Sequence, residues 1–145
     1  NVADYGDIRE IRISRVDYDG DGDAEEGVAT EIEALHEALY TALQAYAAQV
    51  VGTPIAYSAG NFPYFVTDRD GDGEAGADEM SFGNRYVAWT PRLVRTAYNY
   101  HYVQEDPGRF AHNPPYILQI LYDSLADLGQ QVDVEMAGTR RPVSQ

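Results

Sequence analysis

Two segments, DYDGDGDAEEG at 17–27 and DRDGDGEAGADE at 68–79, constrain this chain more than anything else in it. Thirteen of its 24 acids fall in the windows 17–31 and 68–79, and Arg69 is the one base inside them. Carboxylates crowded so densely repel one another unless water surrounds them or a cation sits among them. The spacing favours a cation. Alternate residues of a tightly turned loop point inward, so acids at positions 1, 3 and 5 converge on one point. Glycine at position 6 allows the bend, position 7 supplies a backbone carbonyl, and an acid at position 12 closes the shell bidentately.

The second loop meets that formula throughout: Asp68, Asp70 and Asp72 converge, Gly73 turns, Glu74 offers its carbonyl and Glu79 closes. The first begins alike, with Asp17, Asp19, Asp21, Gly22 and the Asp23 carbonyl, but its position 12 is Val28, which cannot coordinate. Glu25, Glu26 or Glu31 must supply the missing oxygens. Glu31, three places late on the first turns of the following helix, is the expected closing ligand. The many oxygens and flexible loops suit calcium better than magnesium, which keeps several waters and demands near-octahedral geometry. No His or Cys lies in either loop to attract a transition metal. Two calcium ions would bring the net charge of -14 to -10.

That charge also argues against nucleic acid and anionic membranes as partners. No apolar run approaches the roughly 20 residues of a membrane span, so no membrane insertion is expected. The absence of cysteine excludes disulfides, zinc thiolates and covalent haem attachment in this chain. Loops of this kind outside cells work at about 10⁻⁴–10⁻³ M calcium, which points to an extracellular or periplasmic setting. The chain opens on Asn1 without a Met start, as a processed product or an excised domain would.

Hydrophobic periodicity supplies the frame. IREIRISRV (8–16) alternates and reads as a short strand entering the first loop. From 28 to 51 the pattern is helical, with Ile32, Leu35, Leu39, Leu43, Tyr46 and Val50 on one face and Gly52 and Pro54 as stops. NFPYFVT (61–67) is an extended run entering the second loop. Thr90-Pro91 caps a helix running to about Glu105, with Val94, Ala97, Tyr98 and His101 or Tyr102 inward. Asn113-Pro114 opens a last helix, ending at Gly129, that turns Ile117, Ile120, Leu121, Leu125 and Leu128 to the core. The expectation is a mainly α fold of three principal helices with two strand-loop EF-hand-like units, whose strands pair as a small two-stranded sheet. Residues 1–129 form one calcium-binding domain, and 130–145 a polar tail, extended or mobile.

Catalysis finds little support. Acids that bathe an ion are poor glycosidase pairs, and Glu105, Asp106, Asp123 and Asp127 read as helix-end or surface charges. His36, His101 and His112 are too scattered for a metal triad; His112 could hydrogen-bond its turn or serve as an axial ligand to a haem held elsewhere. The twelve tyrosines suit a core and a subunit interface, or a glycan-stacking surface if a row of them faces solvent.

The segments TPRLVRTAYNYHYVQEDPG (90–108) and RFAHNPPYILQILYDSLADL (109–128) resemble the haem-free C-terminal region of large bacterial multihaem c-type cytochromes. The likeness spans about 4–129 and includes DYDGDGDAEEG with the helix behind it. The resemblance implies an exported, non-catalytic, calcium-stabilised helical module associated with extracellular electron-transfer proteins. Its partner would be a haem domain, a cell-surface protein or other copies of the chain. With no C-x-x-C-H present, electron transfer does not carry over to these residues. A dockerin-like scaffold or carbohydrate-binding module, and an electron-transfer subunit using a neighbour's haem, are the alternatives.

Overall fold

A computed structural model describes residues 4–143. A short helix α1 (Tyr5–Arg9) leads through the first acidic loop into the long α2 (Val28–Tyr46). A π-helical turn (Ala47–Val51) follows, then the hairpin strands β1 (Ile55–Tyr57) and β2 (Phe65–Thr67) and the second acidic loop. A 3₁₀ turn (Phe82–Asn84) precedes α3 (Pro91–Glu105), α4 (Arg109–His112) and α5 (Pro114–Leu128). The architecture is mainly α, with three long helices and one small antiparallel sheet. No helix among the described residues is long and apolar enough to cross a membrane.

The core lies where α2, α3 and α5 meet. Ile32, Leu35, Leu39 and Leu43 of α2 are sealed against Leu118, Leu121, Leu125 and Leu128 of α5, with Leu93 and Val103 of α3 closing the side. Each such side chain contributes about 1.5–3 kcal/mol by leaving water. The expected face of α2 is the buried one except at Val50. There the chain widens into the π turn, which Gly52 ends at φ +79°, and Val50 rotates into solvent.

The start of α3 is set by Thr90, whose hydroxyl accepts from Leu93 N at 3.1 Å, and by Pro91. Its inward face differs from the expected one. Leu93, Thr96, Ala97, Tyr100 and Val103 are buried, whereas Val94, Tyr98 and Tyr102 face water. The helix carries two apolar stripes about one residue apart, and Tyr100 decides between them by stacking on the buried His36 ring at 4.1 Å. Helix α5 begins at Pro114 as expected, without a side-chain hydrogen bond from Asn113; Ile120 is only partly buried and Leu118 takes the central place.

The expected strand at 8–16 does not form. Its first residues close α1, and the rest is irregular, with Ile11, Ile13 and Val16 exposed. Arg12 bends the segment by donating to the carbonyls of Ser14 and Glu26 at 2.6–3.1 Å, and Ile11 O accepts from Val28 N at 3.1 Å. With its backbone so engaged, it has no strand edge to join. The sheet therefore does not tie the two loops together. β2 pairs instead with β1, Ile55 opposite Thr67 and Tyr57 opposite Phe65, and a bridge from Val66 to Arg85 flanks its other side.

Beyond α5 the tail has no helix or strand through residue 143, yet it lies against the body. Val132 joins the core, Val134 and Met136 pack on it, and Arg141 makes a bidentate pair with Asp123 at 2.7 and 2.9 Å.

Candidate metal centre

The two acidic loops have nearly the same internal hydrogen bonding. In the second, Asp68 accepts from Gly71 N at 2.6 Å and Gly73 N at 3.0 Å, Asp70 from Asp72 N at 3.3 Å, and Asp72 from Glu74 N at 2.8 Å. In the first, Asp17 accepts from Gly20 N at 2.6 Å and Gly22 N at 2.9 Å, Asp19 from Asp21 N at 3.2 Å, and Asp21 from Asp23 N at 2.7 Å. The sixth-position glycines sit at φ +97° and +83°, left-handed conformations that a side chain would strain. These bonds occupy part of each carboxylate and fix its orientation in the loop.

The closing acids occupy equivalent places despite their different spacing. Glu79 Oε1 accepts from Arg69 N at 2.5 Å, the second residue of its loop. Glu31 Oε2 accepts from Tyr18 N at 2.5 Å, again the second residue, and from Asp19 N at 3.0 Å. The extra three residues of the first loop are absorbed before α2, whose first turns bring Glu31 back over the loop. Both acids are deeply buried, at 2% and 3% exposure. Glu79 Oε2 is buried with no hydrogen-bond partner among the described residues. A buried unpaired carboxylate oxygen is costly to keep without a counter-charge.

Among the described residues, three sets of acids place ligand oxygens within 4.8 Å of one another: Asp68, Asp70 and Glu79; Asp17, Asp19 and Glu31; and Asp19, Asp21 and Glu26. Asp72, Asp23 and Glu74 stand outside these sets, the last two being expected to offer carbonyls. Glu26 is the residue that the sequence formula undervalued. It joins Asp19 and Asp21, and its Oε1 is buried without a partner. Two positions from the loop formula's closing place, it had no spacing signal of its own.

Electrostatics registers the crowding. Burial, reinforced by the charges of Asp19 and Asp21, raises the Glu26 pKa to about 7. Burial also raises Asp19 and Glu31, although backbone amides favour their charged forms. At Asp17 the same desolvation is outweighed by the N–H groups of Gly20 and Gly22, and its pKa is lowered. Asp70, despite its bond from Asp72 N, is raised by desolvation and by the charges of Asp72, Glu79 and Asp68. Inserting a divalent cation among such groups would reverse the balance, favouring every ionised form at once. The donor set, all carboxylate and carbonyl oxygen, fits a hard cation.

The second loop is braced from behind by two residues that no loop formula contains. Gly73 O accepts from Tyr40 Oη at 2.9 Å and from Gln44 Nε2 at 2.7 Å, both on α2. Tyr40 Oη accepts in turn from Tyr57 N at 3.0 Å. Asn84 donates to the carbonyls of Thr67 and Glu79 at 2.8 and 3.1 Å, holding entry and exit of the loop together.

No family model and no solved structure matches the chain. It is 24% identical over 126 residues to the C-type polyheme cytochrome OmcB of Geobacter sulfurreducens, in strain DL-1 / KN400 and in strain ATCC 51573 / DSM 12127 / PCA. The alignment covers 75% of this chain but only 17% of the cytochrome's length. The chain is thus similar to a limited region of a polyhaem cytochrome, while having no cysteine with which to attach a haem.

Proposed function

We propose that this chain is an exported, calcium-binding structural or assembly module associated with multihaem cytochrome-type proteins, without catalytic chemistry of its own. The observation that carries the reading is Glu79, a buried carboxylate grouped with Asp68 and Asp70 and left with one oxygen unpaired. A divalent cation would supply the missing partner, and the matching bonds around Asp17, Asp19 and Glu31 suggest a second ion. Similarity to a cytochrome region supports both export and association. The partner is a haem-bearing domain, a cell-surface protein or a further copy of the chain.

In the folded state each ion joins elements that hydrophobic packing leaves loosely tied: the first loop to α2 through Glu31, the second to the hairpin and α2 through Gly73. Binding the folded state alone raises stability by about RT ln(1 + [L]/K_d). Calorimetric titration of the chelator-stripped chain with calcium chloride tests this. Two ions and a higher thermal midpoint are expected; the absence of both binding heat and a midpoint rise would overturn the reading.

One observation favours a carbohydrate-binding role. Tyr98 and Tyr102, 68% and 42% exposed, lie nearly parallel on the outer face of α3 with ring centroids 6.5 Å apart. Retardation in polysaccharide-containing native gels, lost in Tyr98→Ala/Tyr102→Ala, would support it.

A further inference from the structure

The first loop differs from the second in what lies behind it. Where the second is braced by α2, the first is covered by the C-terminal segment, and the two share a peptide group. In the Tyr18–Asp19 peptide, Asp19 N donates to the closing Glu31 at 3.0 Å while Tyr18 O accepts from Arg140 N at 3.0 Å, and Tyr18 N donates to Glu31 as well, at 2.5 Å. Two residues on, Gly20 N donates to Asp17, and the other side of Gly20 meets the backbone of Gly138 and Thr139. The approach is so close that a Cβ on Gly20 would stand 2.6 Å from Thr139 N, and one on Gly138 2.8 Å from Gly20 O. Both glycines have φ +86°. The turn that presents Gly138 is held by Thr139, whose N–H and hydroxyl donate to Met136 O at 3.2 and 2.9 Å.

We propose that cation occupancy of the first loop latches residues 136–142 onto the body, so that ion binding and docking of the C-terminal segment reinforce each other. The inference rests on the cation reading above and adds a mechanical consequence to one of its two sites. The shared geometry supplies the coupling: the backbone that positions Asp17, Asp19 and Glu31 is the backbone that Arg140 and Gly138 dock on. Charge supplies its sign. A cavity of about 210 Å³ between loop and tail is lined by Asp19, Asp21 and Glu135 together with Leu35, Leu125 and Ala137. Docking therefore brings a further carboxylate toward the loop. Without a cation that approach is repulsive and the loop carboxylates drive one another apart; with one, it is neutralised. Val132 and Met136 on the core and Arg141 on Asp123 of α5 are anchored independently of the loop, so release begins in the turn between them.

Hydrogen exchange read by mass spectrometry on the whole chain, in calcium and in chelator, tests the latch. Calcium should slow exchange of 136–142 about tenfold or more. Glu31→Gln should abolish that slowing, and Glu79→Gln, which empties the second loop, should keep it. Gly138→Ala, which removes no ligand but disturbs the docked tail at Gly20, should weaken calcium binding at the first loop about tenfold and leave the second unchanged, because coupling is reciprocal. It also decides the matter should Glu31→Gln fail to fold. Calcium binding to both loops with unchanged exchange in 136–142, or unaltered affinities in Gly138→Ala, would overturn the latch alone. A chain that binds no calcium would overturn both the latch and the reading beneath it.

Discussion

Replacing Glu79 by Gln separates two roles for this buried side chain by the sign of their effects. Gln keeps an oxygen that can accept from Arg69 N, and its size is unchanged, so packing and the 2.5 Å loop-closing bond survive in kind. What disappears is one negative charge beside Asp68, with ligand oxygens within 4.8 Å. At an effective dielectric constant of about 20, that pair repels by about 3 kcal/mol at this separation. Stripped of calcium, Glu79→Gln should be at least as stable as the parent and should melt higher. At calcium a hundredfold above the dissociation constant, the parent gains about 2.7 kcal/mol from the second site. The variant forfeits most of that gain. For a chain of this size about 4 °C accompanies each kcal/mol, so calcium should raise the parent's midpoint by roughly 10 °C through this site and the variant's hardly at all. Differential scanning calorimetry in chelator and in calcium measures both differences. If the variant is destabilised equally in the two buffers, Glu79 is a structural hydrogen-bond acceptor, and the assignment of a cation to the loop is wrong.

Three further predictions follow from the same geometry and packing. Glu31→Gln should reduce calorimetric stoichiometry from two calcium ions to one, whereas Glu25→Gln should not, because Glu31 and not Glu25 joins the Asp17–Asp19 set. His36 should make stability fall in mild acid. Burial, with the charge of Arg109 and against the Tyr100 carbonyl, depresses its pKa from 6.5 to about 4, so the folded ring stays neutral while the unfolded ring protonates. Stability that is complete above the unfolded pKa is then lost as pH drops toward 4, about 2 kcal/mol of it between pH 7 and 5. Denaturant midpoints at those two pH values should show this loss, and His36→Gln should reduce it; equal pH dependence in both chains would refute it. Leu121→Ala, at a fully buried position between α2 and α5, should cost about 3–5 kcal/mol in equilibrium unfolding.

Much of this was legible in the residues because the governing interactions are local. The convergence of Asp68, Asp70 and Glu79 follows from a loop formula within twelve residues. The ends of α3 follow from Thr90-Pro91 and from Asp106-Pro107, and the buried face of α2 from leucines at three- and four-residue steps. Where two local readings were nearly degenerate, sequence could not choose. On α3 the stripes headed by Leu93 and by Val94 are both apolar, and the choice came from His36, 64 residues away from its partner Tyr100.

The chain's own order of residues thus determined that carboxylates gather at two turns and that three amphipathic helices must bury their apolar sides, since turn chemistry and helical periodicity act over a few residues. Tertiary structure alone decided which segment pairs with β2 and where the tail lies. Those outcomes depend on groups far apart in sequence reaching the same backbone: Glu31 and Arg140 on the two sides of the Tyr18–Asp19 peptide, and Gly138 against Gly20. Their spacing encodes no periodicity. Their meeting is fixed only when the core of α2, α3 and α5 sets the distances between them.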